Sequence, residues 1–174
     1  MATLLDYVTT YPDDDIPYCA SDLILAAHTD ADFHNGTKGR SRAGAHIFLA
    51  EDKPIPHWNE AVLIIVQIIK FVMVSAAEVE LGALFITAKN VLPHFRTLIK
   101  MGWPQPLTHI QTDNTTAIGV VNKTLVSNKL KSMDLRYHWL CCRAAQEQLR
   151  FYWDKGSSNW GNYSIRNHHE SKQS

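Results

Sequence analysis

An apolar, β-capable run, Leu23-Ile24-Leu25-Ala26-Ala27, leads straight into His28-Thr29-Asp30-Ala31-Asp32-Phe33. Asn35-Gly36-Thr37-Lys38-Gly39 then reads as a turn. A short buried strand that ends in two carboxylates constrains the fold more than any other stretch of the chain. Alternation along a strand sends Asp30 and Asp32 to one face and Ala31 to the other. Two acids on one face repel each other unless water or a cation lies between them. Taken alone, the stretch reads equally well as a solvated strand end or as part of a ligand site. The other carboxylates of the chain decide between these readings.

The 174 residues suit one domain, and 45% hydrophobic content is enough for a sizeable core. The formal charge of zero gives no support to a strong overall electrostatic grip on nucleic acid, although it leaves room for a local basic patch. The three cysteines, Cys19 and the adjacent Cys141 and Cys142, make neither a disulfide framework nor a zinc spacing, which fits a reducing, intracellular compartment. No basic region followed by an apolar core opens the chain, so no signal peptide is expected. The apolar run 61–74 carries Gln67 and Lys70 and is too short to span a bilayer, so it reads as buried strand.

Along the chain, Leu4, Leu5 and Val8 fall at helical spacing before Tyr11-Pro12, like the tail of a helix whose partner lies elsewhere. Asp13-Asp14-Asp15 reads as a solvated acidic loop, because consecutive side chains diverge. Residues 18–29 are expected to form the first strand and 42–50 an antiparallel second. Residues 55–58, with part of 62–73, should supply the third. From Ser75, a possible N-cap, the period becomes helical through Leu81, Leu84, Phe85, Ala88, Val91 and Leu92. That helix should break near Pro93 and resume to Met101. Residues 108–112 read as a strand closed by Asp113-Asn114, and 115–122 as a short helix. Residues 132–148 read as a helix with Leu135, Trp139, Leu140 and Ala144 on one face, and 149–153 as the last strand. Asp154-Lys155-Gly156 reads as a turn, and 159–165 as a final helix. The order β-β-β-α-β-α-α-β-α implies an α/β fold, a mixed sheet covered by helices.

Acids thus fall at three junctions: Asp30 ends the first strand, Glu78 or Glu80 starts the long helix, and Asp113 ends the fourth strand. Strand ends beside a helix start can converge in one crevice. Converging carboxylates favour divalent cations, and magnesium prefers such oxygen ligands. Two such ions, about 3.5–4 Å apart, clamp the attacking and leaving oxygens of a phosphodiester.

Five stretches, HTDADF, RSRAGAHIFL, SAAEVELGAL, QTDNTTAI and KSMDLRYHWL, resemble in order the ribonuclease H domain of copia-type retrotransposon polyproteins. The likeness runs from about residue 5 to 165. It implies a ribonuclease H-like fold whose sheet has five strands, the first three antiparallel and the fourth and fifth parallel to the first. It also implies hydrolysis of the RNA strand of RNA–DNA hybrids, with two Mg2+ or Mn2+ ions. Residues 1–17 then look like the end of a reverse-transcriptase connection, 18–165 like the ribonuclease H-like domain, and 166–174 like a polar tail. The implied partners are an RNA–DNA hybrid and a reverse-transcriptase domain of the same polyprotein, with no membrane. The implied setting is the cytoplasm or a virus-like particle.

Carried over residue by residue, the resemblance assigns Asp30, Glu80 and Asp113 as metal ligands. Glu80 is preferred to Glu78 because Glu80-Leu81-Gly82-Ala83-Leu84 matches the family pattern at this helix. The fourth acid departs from the family, whose Leu-Ala-Asp is Trp160-Gly161-Asn162 here. Asn162 therefore occupies a catalytic position without bringing charge, and Asp154 could take over only if its loop were rearranged. Two readings follow: an active nuclease, or a catalytically impaired hybrid-binding or inert relic. Arg40, Arg42, Lys131, Arg136 and His138 are candidate backbone contacts, since phosphate contacts dominate nucleic-acid affinity. Ordinary surface charge is the competing reading for them. Trp103 and Trp139 read as packing residues.

Overall fold

The computed structural model describes residues 9–10, 17–36, 40–70, 73, 75–122 and 134–165. The expected N-terminal helix tail (apart from Thr9 and Thr10), the Asp13-Asp14-Asp15 loop, Lys131 and the polar tail lie outside these residues. Five strands, β1 (Ile24–Gly36), β2 (Arg40–Ala50), β3 (Ala61–Ile68), β4 (Thr108–Thr112) and β5 (Leu149–Trp153), form one sheet in the order β3-β2-β1-β4-β5. The pairs β1–β2 and β2–β3 are antiparallel, while β1–β4 and β4–β5 are parallel. The helices are α1 (Ala76–Lys100), α2 (Thr115–Val121), α3 (Asp134–Ala145) and α4 (Trp160–Ile165), with a 3-10 turn at Gly156–Ser158. Element order and strand directions match the expectation from the sequence.

The two faces of the sheet are used differently. Leu25 and Ala27 of β1, Ala43 and Ile47 of β2 and Ile110 of β4 pack with Leu81, Leu84, Ala88 and Val91 of α1 in the main core. Alternation sends Ala26 and His28 to the other face, where Ala26 joins Phe48 and Ala50 in a smaller cluster. On that face α4 packs against β1 and β2. The helical segment there is only six residues long, so side chains on β1 and β2 stay within reach of its start.

Several expected boundaries shift. The first strand does not end at Asp30 and Asp32. It runs on to Gly36, because β2 continues to pair with it, Asp30 opposite Gly44 and Asp32 opposite Arg42. Residues 55–58 form no strand, and β3 is an edge strand rather than a buried one. Val62, Ile64, Val66 and Ile68 are exposed on its open face. The long helix does not break at Pro93. Ser75 caps it by accepting the Glu78 N–H at 3.3 Å, and buried Val91, Leu92 and Phe95 hold both sides of the proline in one helix. Packing outweighs the lost hydrogen bond, a cost of about 3 kcal/mol in an unsupported helix. The helix expected over 132–148 spans Asp134–Ala145 in the described residues, and Leu135 faces solvent at 87% exposure instead of sharing the core face of Leu140. Trp139 packs edge-on against Phe85 as expected, but Trp103 is 48% exposed. Cys141 is buried and Cys142 exposed, the division that adjacent helical positions require.

Candidate metal centre

Asp30, Glu80 and Asp113 come from three elements. Asp30 sits within β1, opposite Gly44 of β2. Glu80 lies in the second turn of α1, and Asp113 follows β4 directly. Asp113 is held at its own backbone, where the Trp153 indole N–H donates to its carbonyl at 2.9 Å. The next residue, Asn114, caps α2 by accepting the Ala117 N–H at 2.9 Å. This strand-to-helix corner delivers the Asp113 carboxylate to the end of the parallel pair.

One carboxylate oxygen from each of Asp30, Glu80 and Asp113 lies within 4.8 Å of the other two. Asp30 and Glu80 are buried and Asp113 is partly so. Glu80 carries the electrostatic strain of this arrangement. Burial raises its pKa from 4.5 to about 9, and the neighbouring charges of Asp30 and Asp113 push in the same direction. Its Oε2 is buried without a hydrogen-bond partner. An all-oxygen donor set, one member of which is orphaned and held protonated by burial and then by its acidic neighbours, fits a hard divalent cation such as Mg2+ or Mn2+. Glu78 is not a member of the group, although it too is buried. Two positions along a helix turn a side chain by about 200°, which separates Glu78 from Glu80.

Asn162 lies in α4, half-buried, and lines a pocket of about 210 Å3 with Gly156, Asn159, Trp160 and Tyr163. The approach of this segment to the acids depends on missing side chains. A Cβ on Gly156 would stand 2.6 Å from Asp113 Oδ2, and one on Gly161 would stand 3.1 Å from the Asp30 nitrogen. Across the sheet, a Cβ on Gly44 would meet the Gly161 carbonyl oxygen at 2.6 Å. Asp154 is engaged in its own turn, accepting the Lys155 N–H at 2.7 Å and standing 3.1 Å from Ser158 Oγ. It is not part of the carboxylate group.

The candidate nucleic-acid contacts fall in two places. Arg40 and Arg42 lie at the start of β2, with Arg42 opposite Asp32. Arg136 and His138 lie on α3, where the Arg136 guanidinium stands 5.9 Å from the centre of the Phe85 ring and His138 adjoins Tyr137.

Two features of the site were missed in the sequence. His28 is buried behind Asp30 and accepts the Trp160 N–H at Nδ1, 3.3 Å away. Burial lowers its pKa to about 3, the nearby His46 adds to the effect, and Asp154 opposes it. Asn159 is 5% exposed and bridges α4 to β1. Its signal was an Asn at the first residue of the expected final helix, next to the position where such residues cap, and the helix in fact begins one residue later, at Trp160.

No protein-family model matches the chain. The chain is 26% identical over 147 residues to the retrovirus-related Pol polyprotein from transposon TNT 1-94 of Nicotiana tabacum. The match takes in 84% of this chain but only 10% of that polyprotein, so the chain corresponds to a small part of it. Among solved structures, LC11-RNase H1, isolated from compost by a metagenomic approach, superposes with a TM-score of 0.58 at 12% identity, covering 79% of this chain and 88% of the other. The same enzyme in complex with an RNA/DNA hybrid gives 0.56 at 9% identity, covering 78% and 88%. RNase H1 from the archaeon Halobacterium salinarum gives 0.51 at 12% identity, covering 82% and 91%. The chain therefore has a ribonuclease H fold and resembles, over most of its length, a segment of a retrotransposon Pol polyprotein.

Proposed function

We propose that this chain is a metal-dependent nuclease domain of a retroelement polyprotein, acting on the RNA strand of RNA–DNA hybrids. The observation that carries this reading is the convergence of Asp30, Glu80 and Asp113 within 4.8 Å. The hybrid-bound LC11-RNase H1 supports the substrate class by analogy of fold. Mg2+ or Mn2+ ions held by these three carboxylates would supply charge stabilisation and activation of water for phosphodiester hydrolysis. The work of the chain is to hold the ligands ready. Glu80 stays protonated near neutral pH while the site is metal-free, and its proton passes to solvent when a cation takes its place. Arg40, Arg42, Lys131, Arg136 and His138 are proposed to contact the phosphate backbone, and a reverse-transcriptase domain of the same polyprotein is the proposed neighbour in the chain. An intracellular setting follows from that assignment. Among the described residues, no helix is long and apolar enough to cross a membrane.

Asn162 favours a second reading, a domain that binds hybrid but cleaves it poorly. An amide in place of the fourth acid removes one negative charge from a site built to hold cations. The test is cleavage of a labelled RNA–DNA hybrid with Mg2+ and with Mn2+, comparing the wild-type chain, Asn162→Asp and Asp30→Asn after confirming that each is folded. Weak, Mn2+-favouring cleavage that rises at least about tenfold in Asn162→Asp and vanishes in Asp30→Asn is expected. If none of the three cuts although each still binds hybrid, the impaired-domain reading replaces the nuclease.

A further inference from the structure

Three contacts meet at Thr29, the residue before Asp30. Its hydroxyl accepts the Thr87 hydroxyl of α1 at 2.8 Å and reaches the Gly44 carbonyl of β2 at 3.3 Å. Its own carbonyl accepts the Asn159 Nδ2–H at 2.8 Å. The same Asn159 side chain takes the Gly161 N–H at Oδ1, 2.9 Å away, and the Asn159 carbonyl accepts the Asn162 N–H at 3.2 Å. One buried carboxamide therefore joins β1 beside Asp30 to the first turn of the helix that carries Asn162. Gly161 completes the joint, since a Cβ there would lie 3.0 Å from the His28 carbonyl oxygen.

We propose that Asn159 is a positioning residue whose carboxamide fixes the spacing between Asp30 and residue 162, and thereby sets how tightly the carboxylate group holds a divalent cation. The inference rests on the metal-site reading given above and assigns a residue that does not itself touch the ion. The chemistry of the side chain is specific. Aspartate would set an oxygen against the Thr29 carbonyl. Serine would still cap Gly161 but falls short of Thr29. Glutamine would add a methylene to a site that is 5% exposed. Groups that orient ligands from behind in this way are worth about 10–100-fold in metal affinity.

The test compares wild type with Asn159→Ser and Asn159→Asp, each with Asn162 or with Asn162→Asp. Mn2+ binding is followed by the electron paramagnetic resonance signal of the free ion, and thermal unfolding and amide exchange are measured without metal. Asn159→Ser should stay folded and lose about tenfold in Mn2+ affinity, with a larger loss when residue 162 is aspartate. Amide exchange should accelerate at residues 160–163 and not in α1 or β4. Mn2+ affinity within about twofold of the parent in both backgrounds overturns the proposal. If the Asn159 variants fail to fold, Gly161→Ala decides. Its Cβ would press on the Asn159 Oδ1 and the His28 carbonyl oxygen, each 3.0 Å away, and so disturb the joint without removing the carboxamide; a loss of Mn2+ affinity supports the positioning role and unchanged affinity rejects it. A wild type that takes up no Mn2+ sinks the metal-site reading instead. The joint is then judged by exchange alone: faster exchange confined to residues 160–163 upholds it, and unchanged exchange rejects it.

Discussion

Replacing Glu80 by glutamine should stabilise the metal-free protein and abolish its response to divalent cations. The folded state holds the Glu80 carboxyl near pKa 9, against an ordinary value of 4.5. A pKa raised on folding contributes stability that is complete below 4.5 and is lost as pH rises towards 9. At pH 7.5 the loss spans about 3 pH units, or about 4 kcal/mol at 1.36 kcal/mol per unit. Side-chain relaxation and water entry reduce this towards about 2 kcal/mol. A glutamine side chain keeps the shape and cannot ionise, so Glu80→Gln should gain about 2–4 kcal/mol at pH 7.5. For a chain of this size that is a rise in Tm of about 4–16 °C. The assay is thermal unfolding in EDTA and then in Mg2+ or Mn2+, from pH 5 to pH 9. Without metal, the wild type should weaken relative to Glu80→Gln as pH rises, with little difference at pH 5. With metal, only the wild type should recover at high pH, because binding to the folded state alone adds stability by mass action. Equal Tm values across the whole range in EDTA would refute a buried, uncompensated carboxylate at this position.

His28 gives the opposite pH dependence. With its pKa lowered to about 3, its contribution is present above 6.5 and is lost as pH falls towards 3. In the Glu80→Gln background, where the Glu80 slope is absent, unfolding between pH 6 and pH 4 should lose about 1.4 kcal/mol per unit. His28→Asn should flatten that limb, and a limb that stays as steep counts against His28 as its source. Gly44→Ala should displace α4, since its Cβ would meet Gly161 and Ile165 within 2.6 Å. We expect a loss of about 1–3 kcal/mol in urea unfolding together with reduced Mn2+ affinity; an unchanged midpoint would show that the helix shifts freely. Pro93→Ala should raise stability by about 1–3 kcal/mol, because the exposed proline withholds a hydrogen bond within a continuous helix. A fall in the urea midpoint would mean that the proline ring is required for packing.

The order of the elements was legible in the sequence because each rests on local signals, whereas the directions of the fourth and fifth strands were implied by the family resemblance. Alternating or continuous apolar runs mark β1, β2, β4 and β5. Ser75 and Asn114 cap the helices that follow them, and two of the acids, Glu80 and Asp113, fall close to those caps. The preference for Glu80 over Glu78 came from the family resemblance at this helix, and among the described residues it is Glu80, not Glu78, that lies in the carboxylate group. The register and extent of pairing were not legible. β1 continues through Asp30 and Asp32 because β2 offers it partners at Gly44 and Arg42, residues distant in sequence. Pro93 stays helical because the sheet supports both of its flanks, and Leu135 is exposed because the core ends short of it, whatever its helical spacing suggests. The protonation of Glu80 and the bridge made by Asn159 belong wholly to the tertiary structure. Each depends on surroundings that exist only after folding, burial beside Asp30 and Asp113 for one and the Thr29 carbonyl for the other. The sequence by itself determined which residues could bind a metal, since donor chemistry is a property of residue type. Tertiary structure decided which oxygens are brought within 4.8 Å, because that distance is set by three elements packing on one sheet.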